Sequence, residues 1–210
     1  RQGSMRLTTR AFPPAIIQEN SSIGLGLRLR PSNNDILSND IGRIPNTIVE
    51  MGDTKIQAIN NQIKLDYISF IQVLALNTAQ TDLDELSKLA WKLHIGMDQD
   101  LTNKKNDVFF VDLGIGKSIQ LSDNVIYTLM TIKIQGGTNP IGLAPSVGLI
   151  SNLSKRLKSH LSISQLFFHK QTIPLHQYEL RFTLKKNSDL RFKLFHTNST
   201  QGQISYGIYW

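Results

Sequence analysis

The sequence predicts an all-β fold: an antiparallel up-and-down β-barrel of about twelve strands, of the bacterial outer-membrane type. Three observations predict it. Apolar and polar residues alternate over strand-length windows that are bounded by Asn, Asp, Gly, Ser and Pro. The polar faces of these windows are rich in charged residues and glycines. The last residues, GQISYGIYW, also alternate and stop on an aromatic residue. Apolar faces meeting lipid and polar faces lining a lumen account for all three observations.

The alternation is clearest in Ser22–Arg30, Leu175–Lys185 and Asp189–His196, where charged, polar or glycine residues occupy most of the alternate positions. A helix would space its apolar residues by three and four, so these segments are predicted as strands. The same pattern predicts nine further strands: Ser4–Phe12, Thr47–Ile59, Ile63–Asn77, Leu89–Met97, Asp107–Ser118, Val125–Gln135, Ala144–Asn152, Lys158–His169 and Gln203–Trp210. The even count places both ends of the chain on the same side of the barrel.

The connections between these strands are mostly of hairpin size, as at Asn61-Gln62 and Lys186-Asn187-Ser188. Two are longer: Pro31–Asn46 is expected to carry a short structured turn, and Thr78–Ser87 one helical turn. The sequence contains no low-complexity tract and no domain linker, so residues 1–210 are predicted as a single barrel domain. Because no signal peptide precedes it, we expect this domain to be either a mature product or, as the favoured interpretation, the C-terminal part of a longer protein.

The composition excludes several classes of protein. No stretch approaches the ~20 apolar residues of a membrane helix, and mean hydropathy is −0.17. The absence of cysteine excludes disulfides, thiolate metal sites and a cysteine nucleophile. The net charge is +7, but basic residues alternate with apolar ones and form no dense run. We therefore expect no nucleic-acid partner, and we expect lysines in the turns to contact anionic lipid headgroups.

A soluble barrel or sandwich would show the same alternation with its apolar face inside. Two features favour the membrane barrel. Some polar faces combine charges with glycines: Asp112, Gly114 and Gly116 on one strand, and Lys92, His94, Gly96 and Asp98 on another. Aromatic residues also lie near strand ends, as in the girdles of membrane barrels: Trp91, Phe109, Tyr127, Phe168, Tyr178, Tyr206 and Trp210.

The last strand resembles the C-terminal signal of outer-membrane barrels, which ends in Phe or Trp with apolar residues at alternate positions. Here the matching residues are Ile204, Tyr206, Ile208 and Trp210. The resemblance implies location in the bacterial outer membrane of a Gram-negative cell envelope. It also implies two partners, outer-membrane lipid and the barrel-assembly machinery.

A second resemblance covers nearly the whole chain. Ser22–Ser38 is similar to a strand followed by a Pro-x-x-x-Asp-Leu-Leu-Asp motif, here Pro31, Asp35, Ile36, Leu37 and Ser38. Three further segments match motifs of the same family: a Gly-x-x-Pro turn at Gly42–Pro45, an Ala90-Trp91-Lys92 strand and the opening segment Gly3–Leu7. These motifs resemble the C-terminal β-barrel-like domain of a bacterial envelope family whose periplasmic N-terminal domain resembles Lnb-type lipoprotein N-acyltransferases. The resemblance implies a periplasmic domain as a partner within the same protein. The family's candidate catalytic Cys and His belong to that N-terminal domain, and none of that chemistry carries over to this chain.

The residues that most attract a functional interpretation are charged side chains on predicted lumen faces. We expect a lumen charge network formed by Arg28, Arg30, Glu50, Asp66, Asp112, Glu179, Arg181, Arg191 and Lys193. Structural salt bridges that fill the lumen are the favoured interpretation. The alternative is a narrow pore selective for anions, which the excess of basic residues would favour.

Catalytic and metal sites are weaker hypotheses. His160 and Ser162 share one strand face, and Glu179 or Asp112 could supply an acid, as in an outer-membrane lipid hydrolase. Polar lumen lining explains the same pair. The histidines, His94, His160, His169, His176 and His196, lack metal-ligand spacing, so no metal site and no cofactor are predicted. Gly24-x-Gly26 and Gly114-x-Gly116-Lys117 lie within strands and are not phosphate loops.

The predicted function is therefore an outer-membrane barrel that anchors or partners a periplasmic enzymatic domain and has no catalysis of its own. Three alternatives remain open at this point: a narrow pore for small anionic solutes, a lipid hydrolase that uses His160 and Ser162, and a soluble periplasmic β-domain.

Overall fold

The computed structural model describes residues 10–11, 15–19, 22–30, 32–34, 37, 46–59, 62–76, 89–99, 107–137, 139–185, 188–197 and 199–208. They form one antiparallel sheet. Its strands are β1 Arg10–Ala11, β2 Ala15–Glu19, β3 Ser22–Arg30, β4 Ser32–Asn34, β5 Thr47–Ile59, β6 Gln62–Leu76, β7 Leu89–Gln99, β8 Asp107–Leu121, β9 Asn124–Gln135, β10 Ile141–Ser154, β11 Leu157–Phe168, β12 Thr172–Lys185, β13 Ser188–His196 and β14 Thr200–Ile208. Within these ranges, no helix is long and apolar enough to cross a membrane.

The strand pairings close into a ring. From β5 to β14 each strand pairs with the next along the chain, and β14 pairs with β2. β2 pairs with β3, and β3 pairs with β5, which completes a circle of twelve strands, β2, β3 and β5 to β14. The short strands β1 and β4 extend β2 and β3 along the same wall, because β1 pairs with the end of β3 and β4 with the start of β5. The predicted up-and-down barrel of about twelve strands is confirmed.

The two open ends of this barrel can be named by their turns. Mouth A carries the turns at residues 122–123 and 155–156 and the end of β14, and the start of β2 points toward it. Mouth B carries the connection between β9 and β10 and the turn at residues 169–171. The first and last strands of the ring thus both open on mouth A, as an even number of antiparallel strands requires.

The surface of the barrel is largely apolar, and most of the described charged side chains of the strands lie in its interior. Burial alternates residue by residue, as in β9, where the pattern runs eBeBeBeBeieB. The exposed set is dominated by large apolar side chains, among them Phe109, Leu113, Ile115, Ile132, Leu143, Val147, Leu161, Ile163, Leu190 and Ile204. The buried set includes Glu50, Asp53, Lys55, Asp112, His160, Arg181, Asp189 and Arg191. A soluble barrel has the opposite arrangement, so the exposed belt indicates contact with lipid.

β-Bulges change which residues of a strand face the interior, because each one inserts an extra residue into the inward–outward alternation. Between β6 and β7 the register shifts from Ser69–Gly96 to Ile71–Ile95, so Phe70 is the extra residue. Ser69 and Leu74 consequently both face the interior although they differ in parity, and Phe70 points outward. On β5, Gly52 has a φ of 67°, and the inward positions change there from Glu50 to Asp53. Glycine adopts this left-handed conformation without the steric cost that a Cβ would impose.

Apolar residues fill the interior near both mouths. At mouth A, Leu37 joins lumen-facing residues of four strands in one cluster: Leu74, Leu76, Ala90, Val125, Tyr127, Leu129 and Ile150, with Ile48 of β5 packed against it. Near mouth B, Ala144, Leu166, Phe168 and Ile173 form a second cluster, with Leu175 beside it.

Two sequence predictions were wrong in detail. The first predicted strand, Ser4–Phe12, overlaps β1 at Arg10–Ala11, but the prediction missed β2 at Ala15–Glu19. Tyr127 and Phe168 were assigned to an aromatic girdle, but both are buried and face the lumen. Proximity to a strand end does not decide the face, because position along the pleat does. The predicted helical turn at Thr78–Ser87 lies outside the described residues.

Candidate functional site in the lumen

The first charged site is centred on Asp112 of β8 and is called here the β8 carboxylate cluster: Lys92, His94, Asp112 and Lys133. Lys92 Nζ lies 3.3 Å from Asp112 Oδ2, and Lys133 Nζ lies 3.1 Å from Oδ1. The antiparallel register places Asp112 opposite His94 on β7 and opposite Lys133 on β9. One carboxylate is therefore shared by two ammonium groups, so positive charge is in excess within this cluster.

Neighbouring side chains hold this cluster in place. The ring of His94 meets Phe110 edge-on at 4.8 Å between centroids, and its Nε2 lies 3.0 Å from Ser69 Oγ. Lys133 Nζ lies 3.7 Å from the centre of the Phe110 ring, a cation–π contact. These contacts hold the side chains of Lys92 and Lys133 against one wall of the lumen.

Ser69, His94 and Asp112 lie on three consecutive strands, in the order of a nucleophile, a base and an acid. The geometry does not suit catalysis. Asp112 Oδ2 is 3.9 Å from His94 Nδ1, longer than a hydrogen bond, and the carboxylate already binds two lysines. Ser69 is 1% exposed, so a substrate would not reach its hydroxyl. A packed polar cluster describes this arrangement better than a hydrolytic triad.

The second charged site is centred on Asp189 of β13 and is called here the β13 carboxylate cluster: Glu179, Arg181, Asp189 and Arg191. Arg181 Nε donates to Asp189 Oδ2 at 2.5 Å, and Arg191 Nη2 donates to the same oxygen at 3.2 Å. Arg191 Nη1 also donates to Glu179 Oε1 at 3.2 Å. Arg181 and Arg191 are direct cross-strand partners, and the buried Asp189 offsets the repulsion between them.

Arg181 has a further contact that crosses the barrel interior. Its Nη1 donates a hydrogen bond to the backbone carbonyl of Leu37, which lies between β4 and β5. Arg181 belongs to β12, and four strands of the ring, β13, β14, β2 and β3, separate the two walls on the shorter path. Leu37 is 1% exposed and packs in the apolar cluster of mouth A.

The structure divides the predicted charge network into separate groups. It brings Glu179, Arg181 and Arg191 together around Asp189, and it places Asp112 in the other cluster. Glu50 is buried on β5, and Lys193 is half-buried opposite Glu179. Arg28, Arg30 and Asp66 lie on strands, but their side chains fall outside the described part. Their role in filling or gating the lumen stays a prediction.

The sequence also predicted a C-terminal barrel signal and a weaker catalytic hypothesis at His160 and Ser162. Of the C-terminal signal, Ile204 and Tyr206 are exposed on the outer face of β14. Ile208 ends β14 and its side chain is outside the described part, as is Trp210. His160 is buried, and its Nε2 pairs with the Tyr127 hydroxyl at 2.8 Å. Its cross-strand neighbour Glu179 is engaged by Arg191. Among the residues that the structure describes, no group of three or more His, Asp or Glu side chains is placed to hold a metal.

Sequence reasoning missed several members of these clusters. Lys133 was available from the pattern, because it shares its parity on β9 with the buried Thr131 and Gln135. Asp189 follows a turn and reads as a strand-boundary residue, so its complete burial was not foreseen. Leu37 was noted only as part of a motif, and no local pattern places a residue of a connecting segment inside a lumen.

Comparisons with known proteins agree with this fold. A family model described as "Domain of unknown function (DUF7840)" matches residues 14–210. No curated protein matches the chain. Among solved structures, the KdgM porin is similar, with a TM-score of 0.56, 6% identity and coverage of 95% of this chain and 98% of the porin chain. A KdgM porin in complex with disordered oligogalacturonate has a TM-score of 0.57, with the same identity and coverage. The shared fold is that of an outer-membrane barrel, and with the exposed apolar belt it agrees with the predicted outer-membrane location.

Proposed function

We propose that this chain, which belongs to the DUF7840 family, forms a narrow outer-membrane pore that favours small anionic solutes. The observation that carries the proposal is the β8 carboxylate cluster, in which Asp112 faces both Lys92 and Lys133 at 3.3 and 3.1 Å. Within this cluster two ammonium groups face one carboxylate, and such a local excess of positive charge attracts anions more strongly in a narrow lumen than in bulk water. The proposal assigns the barrel no catalysis of its own.

A row of polar side chains on the wall opposite the β8 carboxylate cluster supports conduction. The lumen faces of β12, β13 and β14 present half-buried polar side chains: Gln177, Glu179, Lys193, Gln201, Gln203 and Ser205. The partial exposure of these inward-pointing residues supports an interior that is not completely packed along this wall. The KdgM porin, which shares the fold, has been solved with oligogalacturonate, a chain of carboxylate-bearing sugars. That likeness supports an anionic solute class without identifying the solute.

The test is ion selectivity in planar lipid bilayers. Under a potassium chloride gradient, the wild-type barrel is expected to give a reversal potential of the sign set by chloride. Lys133→Gln removes one of the two ammonium groups on Asp112 and is expected to shift that potential toward the cation side. Lys117→Gln is the matched control, because Lys117 is exposed on the outer face of β8. A cation-selective wild type, or equal potentials for all three proteins, would contradict the proposal.

A second candidate is the predicted anchor for a periplasmic domain of the same protein. The feature that favours it is the placement of the first and last strands of the ring, which both open on mouth A, so an additional domain would join there. An antiserum to the barrel tests it on outer-membrane fractions of the native host. The anchor predicts a band well above 23.7 kDa, and a band of about the barrel's own mass would count against it.

A further inference from the structure

One residue from a connecting segment lies inside the barrel. Leu37, between β4 and β5, packs at mouth A with lumen-facing residues of β6, β7, β9 and β10. Leu74 and Leu76 contribute from β6 and Ile150 from β10, so the cluster extends across several neighbouring strands of the ring. A side chain that joins lumen-facing residues and is almost wholly buried narrows the lumen at that level.

A charged side chain on the opposite wall, Arg181, holds the backbone of Leu37 by a hydrogen bond. The Leu37 carbonyl accepts a hydrogen bond from Arg181 Nη1, and Arg181 Nε donates to Asp189 at 2.5 Å. Asp189 is 0% exposed and also accepts from Arg191, so the carboxylate is fixed on both sides. The planar guanidinium can make both contacts at once because it presents several donors in a rigid fork.

We propose that Leu37 forms the constriction of the pore at mouth A, and that Arg181 is the residue that positions it. This inference rests on the proposed pore function and adds its narrowest point. In this proposal, the apolar cluster at mouth A and the β8 carboxylate cluster have different roles in selecting the solute. Leu37 limits the size of what passes and slows the passage of hydrated ions, since an apolar constriction disfavours their hydration shells, and Lys92 and Lys133 set the preferred charge.

The direct test compares two leucine truncations in planar bilayers. Leu37→Ala is expected to raise single-channel conductance by about twofold or more, because the side chain that narrows the lumen is removed. Leu175→Ala is the matched control: Leu175 faces the lumen and packs beside the apolar cluster near mouth B. Its conductance is expected to stay near the wild-type value. A heat-dependent shift in gel mobility checks that each variant is a folded barrel.

Arg181→Lys tests the positioning role separately. Lysine keeps the positive charge beside Asp189 but lacks the second rigid donor that reaches Leu37. If Arg181 positions Leu37, Arg181→Lys raises conductance, and the double variant with Leu37→Ala shows no further rise. If Arg181 only neutralises Asp189, the lysine variant keeps the wild-type conductance, which would overturn the positioning role.

The outcomes separate this inference from the proposed pore. Equal conductance of a conducting wild type and Leu37→Ala overturns the constriction and leaves the pore standing. A silent wild type with a conducting Leu37→Ala supports the constriction, but contradicts a pore that is open at rest. If neither protein conducts, both ideas are overturned, because removal of Leu37 then opens no path.

Discussion

At the scale of single residues, the lumen is fitted closely around glycines and charged groups. Gly148 on β10 lies opposite Tyr127 on β9, and the tyrosine ring occupies the space that a Cβ at position 148 would need. The Tyr127 hydroxyl in turn pairs with His160 on β11. The glycine therefore allows an aromatic ring to lie flat inside the barrel and link three strands.

Gly148→Ala is accordingly expected to destabilise the barrel by about 1–3 kcal/mol, because the added methyl group displaces the Tyr127 ring. Gly136→Ala is the control, since a Cβ there meets nothing within 4 Å. Denaturant unfolding in detergent micelles measures both. If the two variants were equally stable, close packing of Tyr127 over Gly148 would be wrong.

Asp189 provides a second test at this scale. Asp189→Asn leaves Arg181 and Arg191 without the charge that joins them and is expected to cost about 3–5 kcal/mol of unfolding free energy. Asp123→Asn is the matched control in the exposed turn at residues 122–123, where the aspartate's hydrogen bonds run through its backbone carbonyl. A loss for Asp189→Asn no larger than that of the control would contradict this role of Asp189.

At the scale of strands, period-two alternation predicted which residues share a face wherever a strand has no bulge. β8, β9, β11 and β13 follow it, so the inward positions of Asp112, Glu179 and Arg191 could be predicted from sequence. At Phe70 an extra residue changes the parity of β6, and no local sequence signal marks that bulge. Faces beyond a bulge depend on the partner strand, which a single sequence does not reveal.

Adjacent positions on β10 test the two faces directly. Val147 is exposed near the middle of the strand, whereas the neighbouring Ser146 is half-buried and bonds to the Leu129 carbonyl on the lumen side. Val147→Lys places a charge against lipid and is expected to destabilise the barrel by about 2–4 kcal/mol in vesicles. Ser146→Lys is expected to cost much less. The reverse order, measured by urea unfolding in vesicles, would show that the apolar face points inward.

At the scale of the whole molecule, an even ring of twelve strands encloses a lumen lined by charged and apolar clusters. The barrel and its charged interior could be predicted from the sequence because alternation and composition are local properties. The partition of the charges into clusters around Asp112 and Asp189 could not, because it depends on cross-strand register. The place of Leu37 depends on a contact 144 residues away in sequence, with Arg181.

The measurement that tests the central claim most directly is gel mobility of the native protein in fractionated membranes, compared before and after boiling. The account predicts a band in the outer-membrane fraction that migrates differently once boiling unfolds the closed barrel. A periplasmic band with unchanged mobility would contradict it. The exposed apolar belt would then have to be covered by protein rather than lipid, and the lumen would not be a route across a membrane.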